Sequence, residues 1–205
     1  TIKYNRLNFN LSLTKFKHIG LFPEQEANWR FIEEHISADE RFLNLFAYTG
    51  AASCMARLKG AETFHVDSAK STLNWAKRNM EECKLLNIKW VHEDALKFAA
   101  REVKRENKYK GIIMDPPAWG IGASGEKWKL EDSINEIMKD VAALSDDKNF
   151  FMILNTYSLG FSSLIVENLI NTSFRSTKNL EIGELYLQAT KGSKLPLGVF
   201  GKVNY

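Results

Sequence analysis

The chain has 205 residues, 44% of them hydrophobic and 26% charged, with a formal net charge of +3. That length suits one domain burying roughly 70% of its unfolded surface, and no apolar run approaches the ~18 residues of a membrane-spanning helix. Two cysteines, Cys54 and Cys83, offer no disulfide framework and point to a reducing, cytoplasmic setting, while the mild positive charge permits a nucleic-acid partner without demanding one.

The N-terminus, TIKYNRLNFN, carries no secretory apolar core and no initiating Met, as expected of a processed or cropped chain. LNFNLSL alternates apolar and polar residues, predicting a half-buried strand over 7–13 with Leu7, Phe9, Leu11 and Leu13 on one face. Residues 15–18 read as a basic turn. A helix follows Pro23, with Trp29, Ile32 and Ile36 on one stripe.

Strands and helices then alternate. RFLNLFA predicts a strand, and ASCMARLKG a helix closed by Gly60. ETFHVD predicts a strand, and residues 70–84 a helix with Leu73, Ala76, Met80 and Cys83 inward. IKWVHED is the next strand, followed by a helix over 95–107 with a charged outer face. GIIMD predicts a strand. In GIGASGEKWKL the glycines allow a mobile lid, and Lys127, Trp128 and Lys129 alternate charge with a ring, as surfaces for single-stranded nucleic acid do. A flexible surface loop with a tryptophan at a helix entry is the competing reading. EDSINEIMKDVAALS places Ile134, Ile137, Met138, Val141 and Leu144 at helical spacing. NFFMILN is a strand and SSLIVENLIN a helix. The last segment reads as an antiparallel hairpin on the sheet edge. This order predicts an α/β, doubly wound, mostly parallel sheet covered on both faces.

In such folds ligands sit at the carboxyl ends of the strands. The first turn, FLNLFAYTGAASC, has only Gly50, so it lacks G-x-G-x-x-G and the P-loop, which disfavours phosphate and an NAD-dependent oxidoreductase. A nucleoside fits better. Asp67 ends the second strand of the alternation, where a carboxylate can accept both ribose hydroxyls. Asp94 ends the third, where it or the next N–H can read an adenine edge. Asp115 ends the fourth. Each acid alone is also a good helix N-cap. His18, His35, His65 and His92 show no ligand spacing, so no metal site is expected.

These residues together, FLNLFAYTGAAS…GAETFHVDSAKSTLNWAKRNMEEC…VHEDALKF…KGIIMDPPAWG, resemble class I S-adenosylmethionine (SAM)-dependent methyltransferases, and in particular the large-subunit rRNA methyltransferase I-like group. GLFPEQEANW resembles that group's segment before the first core strand at Gly20, Gln25 and Asn28. The resemblance implies a seven-stranded Rossmann-like sheet, with residues 1–38 as an N-terminal β/α extension and 39–205 as the methyltransferase domain. It implies SAM as cofactor. Ala47, Tyr48, Thr49 and Gly50 would line its methionine part, Asp67 would hold the ribose with Ser68 beside the adenine, and Asp94 and Ala95 would meet the adenine amine side. Phe22 and Gln25 would close the site. Members commonly carry an N-terminal RNA-binding or β-rich domain, for which this chain has no room, so part of a substrate platform is expected to be absent.

Methyl transfer from a sulfonium is an in-line displacement, in which positioning and charge control dominate. An exocyclic amine delocalises its lone pair into the base, and two acceptors aimed at its N–H bonds would free it. The Asp115 carboxylate and the Pro116 carbonyl suit that role, with Pro116 and Pro117 restricting the backbone and Trp119 placed to stack on an unpaired base. C5 methylation of cytosine needs a thiolate, and ILNTYSLG after the fifth strand has none. That departure counts against C5 methylation and favours N-methylation or another acceptor, with the choice between nitrogen and carbon left open at this point and Thr156 and Tyr157 as candidate pocket residues. An rRNA substrate is the expected partner. Methylation of a protein or small molecule, and a non-catalytic SAM- or RNA-binding module, are the alternatives.

Overall fold

The computed structural model describes residues 1–14, 18–146, 149–174 and 179–204. An antiparallel pair, β1 (Ile2–Tyr4) and β2 (Leu7–Phe9), precedes a 3-10 turn at Pro23–Gln25 and helix α1 (Glu26–His35). The alternating core is β3 (Arg41–Leu45), α2 (Ala51–Leu58), β4 (Glu62–Asp67), α3 (Lys70–Glu82), β5 (Lys89–His92), α4 (Ala95–Lys104) and β6 (Gly111–Met114). A small ribbon of β7 (Trp119–Ile121) and β8 (Lys127–Lys129) leads into α5 (Leu130–Leu144). β9 (Phe151–Thr156), α6 (Ser163–Ser173) and the hairpin β10 (Asn179–Gln188)–β11 (Lys194–Asn204) complete the chain.

Seven strands form one sheet in the order β10-β11-β9-β6-β3-β4-β5. β9, β6, β3, β4 and β5 run parallel, and β11 joins β9 antiparallel. The doubly wound, mostly parallel sheet expected from the alternation is the one observed. Strand β9 shows how both faces are filled. Phe151 and Ile153 point into a cluster with α1 and α2, while Met152 and Leu154 point into one with α4, α5 and α6. A strand buried on both faces reads as a continuous apolar run for this reason. The first cluster also takes Leu7, Phe9, Trp29, Ile32 and Ile36, so the N-terminal elements share a core with the sheet.

Two expectations are corrected. The first strand stops at Phe9, and Leu11 and Leu13 are exposed. Helix α3 takes both backbone groups of Asn10: its N–H donates to Asn79 Oδ1 at 2.9 Å, and its carbonyl accepts from Trp75 Nε1 at 2.9 Å. The chain thus leaves the ladder where alternation alone would continue it. The glycine-rich segment after Asp115 is a hairpin rather than a loose loop. Gly122 N–H donates to the Glu126 carbonyl at 2.7 Å, and Trp128 is 3% exposed against Phe46. Trp128 is thereby unavailable to a nucleic acid. Apart from His18, the basic turn expected at 15–18 lies outside the described residues. Among the described residues no helix is long and apolar enough to cross a membrane.

Candidate functional site

Strand β3 has β4 on one side and β6 on the other, so successive crossovers diverge there. The crevice at such a switch point is where open α/β sheets bind ligands. A cavity of about 470 Å3 opens at this point, with a smaller one of about 50 Å3 beside it. Phe22, Phe46, Tyr48 and Asp115 border both.

The turn after β3 builds the wall between them. Phe46, Tyr48 and Gly50 all take positive φ, at 55°, 49° and 86°. This backbone is costly for the two aromatics and easy for glycine. Gly50 also starts α2 in close quarters: a Cβ there would lie 3.1 Å from Ala76 Cβ. The turn is held from outside by several bonds. Thr49 Oγ1 donates to the Gly20 carbonyl at 2.6 Å, and Asn79 Nδ2 donates to the Thr49 carbonyl at 2.9 Å. Gly20 lies so close to Trp75 that a Cβ would sit 2.1 Å from Cζ2. Behind the turn, Asn44 Nδ2 donates to Ser53 Oγ at 2.9 Å, and Ser53 Oγ bonds His65 Nδ1 at 3.0 Å. Burial pushes His65 down to about 3, so this ring is neutral and supports the turn from the core.

Asp67 closes β4 at the cavity edge. Its Oδ2 accepts from Tyr48 N–H at 2.8 Å, and its Oδ1 from Ala69 N–H at 2.8 Å and Thr72 Oγ1 at 2.9 Å. A carboxylate offers about four acceptor positions, so three bonds leave one open. The Thr72 hydroxyl has one hydrogen and a second acceptor, the Ala69 carbonyl at 2.8 Å. Turning to that carbonyl frees a second position on Asp67, and two positions match a pair of ribose hydroxyls. Burial raises the Asp67 carboxyl, and the donors from Ala69, Thr72 and Tyr48 oppose the rise.

Asp94 caps α4, its Oδ1 accepting from Lys97 N–H at 3.1 Å. The capping role and the cavity position coexist, because Asp94 and Ala95 both line the larger space. The first N–H groups of a helix have no partner within it, which suits a ring nitrogen. Ser68 lines the same space and donates its hydroxyl to the Ile121 carbonyl of the ribbon at 3.3 Å. Lys97 and Glu126 join α4 to the ribbon as an ion pair. The residues present therefore fit an adenosine-like group: a carboxylate for the diol, an acid and an N–H for the base edge, and apolar walls from Val66, Pro117 and Ile121.

On the far side Asp115 leaves the end of β6. It borders both cavities and is only half-buried by surface, while protein surrounds it on its other sides. Burial pushes its carboxyl up to about 7, and the charge of Glu24 adds to the rise. Gln25 Nε2 donates to Asp115 Oδ2 at 3.2 Å and to Tyr157 OH at 3.0 Å. Tyr157 OH donates to Glu24 Oε1 at 3.1 Å. Burial, then the nearby Asp115 and Glu24, hold the Tyr157 phenol above its ordinary range. Phe22 packs between Tyr48 and Tyr157 with tilted rings, their centroids 5.4 and 5.9 Å away.

The expected residues divide by position. Phe22, Tyr48, Asp67, Ser68, Asp94, Ala95, Asp115, Pro116 and Pro117 line the larger cavity, and Gln25, Ala47, Thr49 and Gly50 the smaller. Gln25, expected on the cofactor side, bonds Asp115. Trp119 lines neither cavity and stands 63% exposed on β7. Thr156 is buried, whereas Tyr157 reaches the cavity. Sequence reasoning missed Glu24, His18, Thr72 and the ribbon. The ribbon had a visible signal, since WGI and KWK flank a glycine-containing turn.

A protein-family model described as S-adenosylmethionine-dependent methyltransferase matches residues 1–171. The crystal structure of the SAM-dependent methyltransferase from Agrobacterium tumefaciens superposes with a TM-score of 0.94 at 31% identity, covering 98% of this chain and 68% of that one. The ribosomal RNA large subunit methyltransferase K/L of Hahella chejuensis is 36% identical over 149 residues, covering 72% of this chain and 19% of the relative. Its namesake from Pseudoalteromonas translucida is 36% identical over 188 residues, covering 84% and 26%. The chain thus spans about a fifth to a quarter of the length of these curated relatives. With a cavity at the switch point whose lining suits adenosine and a family match across most of its length, the chain belongs to the S-adenosylmethionine-dependent methyltransferases, and its cofactor is SAM.

Proposed function

We propose that this chain methylates a nitrogen of a nucleic-acid base, with ribosomal RNA as the substrate and Asp-Pro-Pro as the acceptor-site motif. The observation that carries the reading is Asp115 itself, a carboxylate at the junction of two cavities with a pKa near 7. The rRNA methyltransferase names of two relatives support the choice of substrate.

When bound, SAM supplies an electrophilic methyl group on a sulfonium. Asp67 accepts from the ribose hydroxyls, Asp94 and the Ala95 N–H meet the adenine edge, and Tyr48, Thr49 and Gly50 shape the methionine end. Phe22 and Tyr48 cover the site and exclude water from it. Asp115 and the Pro116 carbonyl accept the N–H bonds of the acceptor amine, turning its lone pair toward the methyl donor. Asp115 then holds the proton that the amine loses, for which a pKa near the working pH is suited. Pro117 limits backbone freedom behind these acceptors. Trp119, exposed on β7 just after the motif, is the ring offered to a neighbouring unpaired base.

The test is transfer of tritiated methyl from SAM to total RNA compared with a protein extract. The expected result is label in large-subunit rRNA that Asp115→Ala removes. Label confined to protein, or label insensitive to Asp115→Ala, refutes the reading.

A further inference from the structure

We propose that Glu24, Gln25 and Tyr157 are positioning residues that aim Asp115 and set its charge, locked in place by the amides of Asn28 and Asn155. The inference rests on Asp115 being the acceptor-side group described above.

The amide orientation of Gln25 is tied to those of Asn28 and Asn155. Its Oε1 accepts from Asn28 Nδ2 at 2.8 Å and from Asn155 Nδ2 at 3.3 Å. Asn28 Nδ2 also donates to Asn155 Oδ1 at 2.9 Å. A flipped Gln25 would turn its donors toward these donors and its carbonyl toward a carboxylate. Gln25 Nε2 faces Asp115, as an ionised carboxylate requires, taking Oδ2 and leaving Oδ1 for a substrate N–H. Glu24, Gln25, Asn28 and Asn155 are all buried, so these bonds are not screened by bulk water.

The same ring sets the charge. Tyr157 accepts from Gln25 and donates to Glu24, which places a second carboxylate three hydrogen bonds away from Asp115. His18, Tyr48, Asp67, Glu93 and Asp94 are the other titratable side chains lining the larger cavity. No ion pair among the described residues involves Asp115 or Glu24. Two neighbouring carboxylates without a cation resist being charged together. Glu24 thus favours a proton on Asp115, while the Gln25 donor opposes it. Their balance sets the pH at which Asp115 can accept an amine proton.

A carboxyl-carbon NMR titration of Asp115 in the full chain tests this without acceptor or cofactor. Glu24→Gln is close to isosteric and should lower the Asp115 midpoint by about one pH unit, because it removes a neighbouring charge. Gln25→Leu should raise it by about one unit, because the ionised form loses its donor. Midpoints within about 0.3 unit of the unaltered chain in both variants would overturn the proposal, since a role confined to packing would not move them. If Gln25→Leu does not fold, the Glu24→Gln shift decides alone. In rRNA methylation, the acid limb of kcat/KM should follow the NMR midpoint in each variant. Loss of transfer with unmoved midpoints makes the ring structural and overturns the proposal. Shifted midpoints in a chain that does not methylate rRNA support the ring and refute only the substrate.

Discussion

Asp67 and Asp115 stand at the carboxyl ends of β4 and β6, on either side of β3, yet their surroundings differ. Asp67 accepts three hydrogen bonds, two of them from backbone N–H groups. Asp115 accepts one side-chain hydrogen bond, from Gln25, and has Glu24 nearby. Burial raises both pKa values, but only the donors around Asp67 oppose it strongly, while Asp115 rises to about 7. The same residue type at equivalent places on one sheet thus becomes a fixed anchor in one case and a titrating group in the other. Burial, the donors facing the carboxylate and the neighbouring Glu24 charge together decide which.

The largest way to break this contrast is Asp115→Ala. Methyl transfer to rRNA should fall by about 100-fold or more, as for loss of a group aimed at the reacting centre, while the SAM Kd by calorimetry changes by less than about 3-fold. Asp67→Ala should do the reverse, weakening SAM by roughly 30-fold through loss of about 2 kcal/mol of charged hydrogen bonding. Weak SAM binding in Asp115→Ala would erase the division of labour.

A pH series sharpens the contrast further. The folded-state pKa of Asp115 lies above its unfolded value, so the related stability is fully present below the ordinary carboxylate range. It is lost as pH rises through about 7. Asp115→Asn removes that loss. Urea midpoints should show the variant gaining on the unaltered chain by about 1–2 kcal/mol between pH 4 and pH 8, a figure reduced because water reaches Asp115 through the cavity. A difference independent of pH would show that Asp115 does not titrate in this range. The smallest effect belongs to Thr72→Ala. It vacates one acceptor position on Asp67 at the cost of one hydrogen bond, and the SAM Kd should shift by less than about 3-fold. A large loss would mean that Thr72 contacts SAM directly.

Much of this was legible in the sequence. The strand and helix of each unit follow from apolar period and from glycine and proline placement, as at Gly60 and Pro23. The three strand-end acids and the lone glycine of the first turn marked a nucleoside rather than a phosphate site. Leu11 and Leu13 misled because alternation describes a strand that has a ladder, and Asn79 and Trp75 draw Asn10 out of it. Trp119 and Trp128 were indistinguishable in the chain, yet one is exposed and the other buried. A hairpin register, with Trp119 opposite Lys129 and Gly120 opposite Trp128, puts them on opposite faces.

The sequence by itself determined the fold class and marked the carboxyl ends of the strands, with their acids Asp67, Asp94 and Asp115, as the place to look for a site, because these depend on local period and on residues adjacent in the chain. Only the tertiary structure decided what surrounds each acid. Gln25 and Asp115 are 90 residues apart, and Gln25 and Tyr157 are 132 apart. Hydrogen bonds at such separations leave no local pattern, and the protonation of a carboxylate depends on every donor, charge and water that the fold brings to it.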